Sequence, residues 1–158
     1  MNNALNTPLI QFLEKQQVSY RLLHHQKPAT TIEEAAAERG IAPHQMVKCI
    51  LLRDMSDRYA LACTSGDTQV DPKKVRSILQ WRRMTCVSID HVKEITGYEI
   101  GTVTPLNLKT EMPILFDHSI ISQNEVTISS GSKMAGITLA KTDLLFLSNP
   151  LINNIQRS

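Results

Sequence analysis

One lysine lies inside an otherwise apolar segment, HQMVKCILLRD, residues 44–54. Apolar side chains on both alternating faces of this segment predict a buried β-strand. A buried ammonium group is costly unless a partner or a ligand compensates its charge. Lys48 therefore has two explanations that the segment leaves open. It guards an exposed sheet edge against pairing with another chain, or it forms the floor of a binding pocket.

Two glycine-bearing loops could bring main chain close to a ligand. GYEIGTVTP, residues 97–105, contains Gly101 and ends with Pro105, and SSGSKMAG, residues 129–136, carries Lys133 between two glycines. Glycine lets the backbone approach a ligand closely, and proline restricts the path by which the chain leaves the loop. Turns between strands have the same composition, so both interpretations remain open for these loops.

The familiar motifs of nucleophilic and metal catalysis are missing from the sequence. It contains no GxSxG motif, no CxxC pair and no glycine-rich phosphate loop. Cys49 and Cys63 lie in predicted apolar strands, where a thiol is usually an inert small hydrophobic group. The adjacent His24 and His25 would point to opposite faces of a strand. We therefore expect neither a metal nor a cofactor, and a thiol-dependent hydrolase using Cys49 or Cys63 is the least favoured alternative.

Length and composition indicate an ordinary globular domain. The chain has 158 residues, of which 42% are hydrophobic and 20% charged, and a formal charge of +2. That charge is too small to indicate nucleic acid binding, although contacts to a few phosphates are compatible with it. The three widely spaced cysteines, the lack of a signal-peptide pattern and the lack of a membrane span predict a cytoplasmic protein. We expect one domain over residues 1–147 and a loosely ordered tail over residues 148–158.

Local patterns predict an α+β fold with a mixed, mostly antiparallel sheet and flanking helices. The clearest helix is TTIEEAAAERG, which begins with a capping box at Thr30 and Glu33 or at Thr31 and Glu34 and ends at Gly40. Strands and helices alternate irregularly, which disfavours a regular βαβα fold. Helices are predicted near residues 5–13, 30–40, 71–80, 90–97 and 141–148, and strands near residues 18–25, 46–53, 58–65, 84–88, 114–117, 125–130 and 137–140.

Several of these segments also occur together in a known family. VKCILL, GYEIGTVTP and EVTISSGSKMAGITL follow one another in this order, and YRLLHHQKPATTIEEAAAERG precedes them. Over roughly residues 5–147 the chain resembles the YbaK family, the stand-alone relatives of the editing domain inserted in bacterial prolyl-tRNA synthetases. The resemblance implies a single compact domain with a barrel-like sheet and a pocket between the sheet and its loops.

The resemblance also implies roles for individual residues. Lys48 would hold the acceptor end of a tRNA, and the backbone at Gly101 would approach the aminoacyl ester. In many relatives an Arg-Gly pair or a histidine follows the Ser-Gly segment, whereas Lys133 and Met134 stand there in this chain. Cys49 follows the lysine where a threonine or a similar residue is common. The residues expected to contact the substrate are His25, Cys49, Thr102, Pro105, Gly131, Ser132 and Lys133.

The function implied by the resemblance is that of a trans-acting aminoacyl-tRNA deacylase. Such a protein hydrolyses the ester of a mischarged tRNA, notably tRNA for proline carrying cysteine, alanine or a similar small amino acid. The expected partners are the acceptor end of an aminoacyl-tRNA and, as a further candidate, prolyl-tRNA synthetase. The alternative is a non-catalytic module of the same fold that binds tRNA or a synthetase. The sequence leaves the amino acid, the tRNA and the oligomeric state open.

Overall fold

Helices and strands alternate irregularly along the chain, which confirms the predicted α+β class. The structure, a computed structural model, describes residues 5–158. The helices are α1 (Pro8–Lys15), α2 (Ile32–Arg39), α3 (Pro72–Leu79), α4 (Ile89–Thr96), α5 (His118–Ile121) and α6 (Lys141–Ser148), with a 3-10 turn at Pro43–Gln45. The strands are β1 (Tyr20–His24), β2 (Val47–Arg53), β3 (Tyr59–Ser65), β4 (Thr85–Cys86), β5 (Ile114–Asp117), β6 (Glu125–Ser129), β7 (Ala135–Ala140) and β8 (Leu151–Asn153).

The strands form two sheets rather than one barrel. The first has the order β1-β7-β6 and is antiparallel, and the second has the order β4-β2-β3-β5-β8. In the second sheet β2 and β3 pair as an antiparallel hairpin, whereas the β3–β5 and β5–β8 pairs are parallel. The sheets meet at an isolated bridge between Met46 and Thr127. The expectation of a barrel-like sheet is therefore wrong in this detail, because over residues 5–158 the two sheets do not close on each other.

The helices begin at caps that the sequence encodes locally. Thr7 Oγ1 accepts a hydrogen bond from the Ile10 amide over 3.2 Å, so Thr7 caps the N-terminus of α1. Thr31 Oγ1 accepts from the Glu34 amide over 3.0 Å and decides between the two capping boxes for α2. These caps set the position of the loop that leads into α2, which forms part of the site described below.

The largest hydrophobic cluster lies where helices cover the sheets. It contains Leu9 and Leu13 from α1, Leu61 from β3, Phe116 from β5 and Ile137 from β7, all fully buried. Their side chains come from segments far apart in sequence, so burial of apolar surface joins both sheets into one domain. Strand β2 of this core carries part of the candidate site.

The C-terminal segment is docked on the second sheet, contrary to the loosely ordered tail expected for residues 148–158. Strand β8 runs parallel to β5, and Ile155 is fully buried. The carboxylate of Asp117 accepts hydrogen bonds from the amides of Ile155 and Gln156 over 2.8 and 3.1 Å. The sequence of this segment has no strong local pattern from which a strand could be predicted. The segment is held in place by the Asp117 carboxylate, which lies 38 residues before Ile155 in the chain.

Candidate functional site

An open pocket of about 200 Å³ lies along the first half of β2. Strand β4 pairs with Leu52 and Arg53 at the C-terminal end of β2. The pocket lies along the N-terminal half of β2, beyond the residues that pair with β4. Its walls come from the loop before α2, the first turns of α2, the 97–105 loop and the end of β6. The lining residues are Ala29, Thr30, Thr31, Ile32, Ala35, Met46, Val47, Lys48, Cys49, Ile100, Gly101, Val103 and Ser129.

Lys48 is a half-buried cation in this pocket. Burial lowers the pKa of its ammonium group, and the carboxylates of Glu33 and Asp67 act in the opposite direction without reversing the shift. Lys48 takes part in none of the ion pairs found in residues 5–158. A lysine that is partly desolvated and not paired gains more than an exposed one from an anion or carbonyl that enters the pocket.

Gly101 brings main chain into the same pocket. Its backbone has φ +86°, and a Cβ at this position would meet no atom within 4 Å, so conformation rather than space favours glycine here. The preceding turn is held by Thr102, whose amide and hydroxyl both donate to the Glu99 carbonyl over 2.9 and 2.8 Å. Thr102 is thereby buried behind the loop, and Pro105 lines a different cavity. The structure thus brings Gly101 to Lys48 but places these two neighbours elsewhere.

Ser129, the last residue of β6, is the part of the β6–β7 hairpin that lines the pocket. The expectation that Gly131, Ser132 and Lys133 line this wall is not met by the structure. Gly131, at φ +90°, lies against Tyr98, and Ser132 Oγ accepts from the Met134 amide over 3.0 Å inside the turn. The hairpin turns away from the pocket after its first strand, so only the last residue of β6 reaches it.

His25 lies behind the pocket wall rather than in it. Because the Lys133 carbonyl can only accept, ring Nδ1 carries the proton and donates to it over 2.7 Å, while Nε2 accepts from Arg39 Nε over 3.0 Å. The Ala29 amide donates to the same carbonyl over 3.2 Å. Burial is the main cause that lowers the pKa of His25, and burial also lowers the pKa of Arg39 to about 10. His25 therefore connects α2, the hairpin turn and a residue of the pocket rim.

The cysteines give no support to a thiol-dependent hydrolase. Cys49 lines the pocket, and its Sγ lies 3.5 Å from the Sγ of Cys63. Cys63 is fully buried, and this burial raises the pKa of its thiol well above the usual range. A thiolate is the reactive form, so Cys63 is poorly suited to attack an ester that enters the pocket. In the part of the chain that the structure describes, no cluster of three His, Cys, Asp or Glu side chains could hold a metal ion.

Of the thirteen residues that line the pocket, sequence reasoning singled out three as site residues, namely Lys48, Cys49 and Gly101. Thr30 and Thr31 were predicted only as helix caps, yet both also line the pocket, and Ile100, Val103 and Ser129 were not singled out. A signal existed for the threonines, because an N-terminal cap residue stands at the exposed start of a helix. For Ser129 there was none, since its place depends on how the two sheets meet.

Comparisons with known proteins agree with this architecture. Residues 26–147 match the family model of the aminoacyl-tRNA editing domain. A proline–tRNA ligase of Bacillus licheniformis is 38% identical over 96 residues, which are 61% of this chain and 17% of the ligase. The uncharacterized protein YwhH of Bacillus subtilis is 29% identical over 116 residues, 73% of each chain. The chain thus spans about a sixth of the ligase but most of YwhH.

Solved structures show the same fold. A crystal structure of a candidate trans-editing enzyme for prolyl tRNA synthetase superposes with a TM-score of 0.85 at 22% identity, covering 98% of this chain and all of that one. The hypothetical protein APE2540 superposes with a TM-score of 0.86 at 21% identity over 94% of this chain and 99% of that one. No helix in residues 5–158 is long and apolar enough to cross a membrane. The family model covers most of the chain, and the chain belongs to the aminoacyl-tRNA editing domain family.

Proposed function

We propose that the protein is a trans-acting deacylase that hydrolyses the ester of mischarged aminoacyl-tRNA. The observation that carries this proposal is that Lys48 and Gly101, from segments about fifty residues apart, line one open pocket. Membership of the editing-domain family and the relation to proline–tRNA ligase support the same reaction class. We assign tRNA for proline carrying cysteine, alanine or a similar small amino acid as the substrate.

Lys48 would bind the acceptor end of the tRNA. The 3′-terminal nucleotide offers a phosphate and an ester carbonyl, and both accept hydrogen bonds from an ammonium group. Burial already disfavours the free cation, so an incoming phosphate would compensate its charge. Its position on β2 fixes the face of the strand from which the side chain leaves the main chain.

The main chain around Gly101 would stabilise the transition state. An aminoacyl ester is already activated, so its hydrolysis requires no protein nucleophile, and water or a ribose hydroxyl can attack the carbonyl. A backbone N–H aimed at the developing oxyanion contributes about 3 kcal/mol, and orientation of the reactants adds to this. Gly101 has no side chain, and its left-handed backbone disfavours residues that would add one.

The pocket is suited to a small side chain. Its volume of about 200 Å³ must hold the amino acid and part of the terminal ribose. Most of its walls are apolar, with alanine, valine and isoleucine side chains next to Cys49. Such walls admit alanine or cysteine and leave little room for larger amino acids.

A panel of charged tRNAs tests the proposal. Purified protein is incubated with tRNA for proline carrying cysteine, alanine, serine or proline, and release of the amino acid is measured. We expect turnover of at least one small amino acid and a rate about 100-fold lower in Lys48→Ala. Lys73→Ala, an exposed lysine on α3, is the matched control and retains the rate. No turnover on any substrate, or full activity in Lys48→Ala, contradicts the proposal.

A non-catalytic binding module is the second candidate function. It is favoured by Lys133 and Met134, which depart from the family pattern and are exposed in the β6–β7 turn. This module would bind the tRNA acceptor end or a synthetase through the same surface. Binding of the charged tRNAs with no release of amino acid in the panel would decide for it.

A further inference from the structure

Cys49 and Cys63 stand directly opposite each other in the β2–β3 ladder. Their sulfur atoms are 3.5 Å apart, and both side chains face the main hydrophobic cluster. The third cysteine, Cys86, is exposed on β4. Neither thiol has a chemical step in the proposed hydrolysis, so the chemistry of the pair is open to a separate explanation.

The ladder geometry places the pair where a cross-strand disulfide can form. The Gly66 amide donates to the Met46 carbonyl on the β3 side, whereas the Leu51 carbonyl accepts from Val87 on the opposite side. The N–H and C=O groups of successive residues point alternately to the two sides of a strand. Cys49 is two residues from Leu51, so its backbone groups also point away from β3. Cys49 and Cys63 are therefore a non-hydrogen-bonded pair, with a Cα separation of about 4.5 Å for such pairs, within the range that disulfides accept.

The two thiols differ in access. Cys49 is half-buried and lines the open pocket, so a small oxidant reaches it from solvent. Cys63 is fully buried and is reached only through its neighbour. A pair made of one accessible thiol and one enclosed partner in contact has the arrangement of an attacked and a resolving cysteine.

We propose that Cys49 and Cys63 are an oxidative modification site that hydrogen peroxide converts to a reversible disulfide inside the pocket wall. The Cys49 thiolate attacks peroxide, giving a sulfenic acid and hydroxide, which takes up a proton to become water. The Cys63 thiol, in contact with the Cys49 sulfur, then attacks it; the S–S bond forms, the S–O bond breaks, and the Cys63 proton leaves with the hydroxide as a second water. Both thiols are oxidised by one electron each, and one peroxide is reduced by two electrons.

The disulfide would change the site next to Lys48. It removes the S–H group of Cys49 from the pocket wall and turns its sulfur towards β3. This consequence rests on the proposed deacylase function, whereas disulfide formation itself does not. We expect the oxidised protein to lose deacylation about 10-fold or more, because small displacements near a reacting group have large effects on rate, and a thiol reductant to restore it.

Thiol counting and peptide mapping test the chemical step without any activity assay. Reduced protein is treated with hydrogen peroxide, and we expect two of its three thiols to disappear, a Cys49–Cys63 cross-linked peptide to form, and dithiothreitol to reverse both. Cys86→Ser, the matched control for the exposed cysteine, forms the same cross-link. Cys63→Ala stops at a Cys49 sulfenic acid, which dimedone traps. Mapping of the unmutated protein alone decides the question if Cys63→Ala does not fold.

Three results overturn the inference. They are oxidation confined to Cys86, dimers linked through Cys86, and a sulfinic acid on Cys49 with Cys63 still reduced. Deacylation by the reduced protein is measured in parallel. An intact cross-link with no deacylation in either form contradicts the proposed function alone, whereas normal deacylation with no cross-link contradicts this inference alone. A cross-linked protein that deacylates at the reduced rate overturns the regulatory consequence.

Discussion

Arg39 Nε donates a hydrogen bond to His25 Nε2 over 3.0 Å, and this bond joins the end of α2 to the end of β1. The side chain of Arg39 lies against the main chain of Gly136, where a Cβ would overlap it. The other ring nitrogen of His25 holds the Lys133 carbonyl, to which the rim residue Ala29 also donates. His25 acts on the pocket as a positioning residue, through the hairpin turn and the loop before α2.

Replacing His25 is expected to destabilise the fold and remove a pH dependence. His25→Leu leaves the Arg39 N–H and the Lys133 carbonyl without a partner, at a cost of about 1–3 kcal/mol. The native pKa of His25 lies below its usual value of 6.5, so the unfolded state binds more protons between the two values. Wild-type stability therefore falls as the pH is lowered from above 6.5 towards the native pKa.

Urea unfolding between pH 5 and pH 8 measures this effect. The difference in free energy of unfolding between wild type and His25→Leu should decrease as the pH falls, because protonated His25 can no longer accept a hydrogen bond from Arg39. His24→Gln, an exposed neighbour on the same strand, is the control and should follow wild type. A constant difference over this range would show that His25 contributes packing only.

Gly101→Ala is expected to impair the site more than the fold. The left-handed backbone strains any other residue by about 1–2 kcal/mol, although space is available for the added methyl group. We expect this loss of stability together with a decrease of about 10-fold or more in kcat/KM for deacylation. Gly40→Ala is the matched control, since Gly40 has φ +70° at the end of α2 and equally open surroundings. Equal activities of the two variants would separate the Gly101 backbone from catalysis.

Lys48→Met distinguishes the two explanations of the lysine. If Lys48 serves only the pocket, its side chain contributes nothing to folding. The free energy of unfolding of Lys48→Met at pH 7 should then equal that of wild type within about 0.5 kcal/mol, or exceed it. An edge guard predicts that its removal causes association through the free edge of β2. Light scattering and urea unfolding of the variant measure both properties. Aggregation at micromolar concentration, with monomeric wild type, would support the guard.

Asp117 is expected to anchor the C-terminal segment. Burial alone would raise the pKa of its carboxyl, but hydrogen bonds donated by Ser119, Ile155 and Gln156 outweigh this, so the pKa is lowered from 3.8. Asp117→Asn should reduce the free energy of unfolding by about 3 kcal/mol at pH 7. The lowered pKa contributes stability above about pH 4 that is lost as the pH falls through the native value.

Acid unfolding followed by circular dichroism checks the sign. Wild type should lose stability below pH 4 more steeply than Asp117→Asn. A chain ending at residue 148 should lose a comparable amount of stability, because it removes the donors of Ile155 and Gln156. Wild-type stability in the shortened chain would restore the interpretation of residues 148–158 as a loose tail.

Local signals were sufficient for most of the fold. Strands β2 and β3 and the cap at Thr31 depend on residues close in sequence; both strands were predicted, and Thr31 was one of the two predicted caps of α2. The docking of β8 and the separation of the two sheets were not, because they depend on pairing between distant segments. The short helix α5, which begins at the Asp117 cap, also escaped prediction, since one turn has too little periodicity to detect.

The sequence by itself determined that Lys48 interrupts an apolar strand and that a glycine lies in the later GxxxP loop. Only the tertiary structure decided that both residues line one pocket. It also decided that Ser129 of the β6–β7 hairpin joins them and that His25 lies behind the pocket wall. The physical reason is that strand periodicity determines which face a side chain occupies, whereas the meeting of two sheets determines which faces share a cavity.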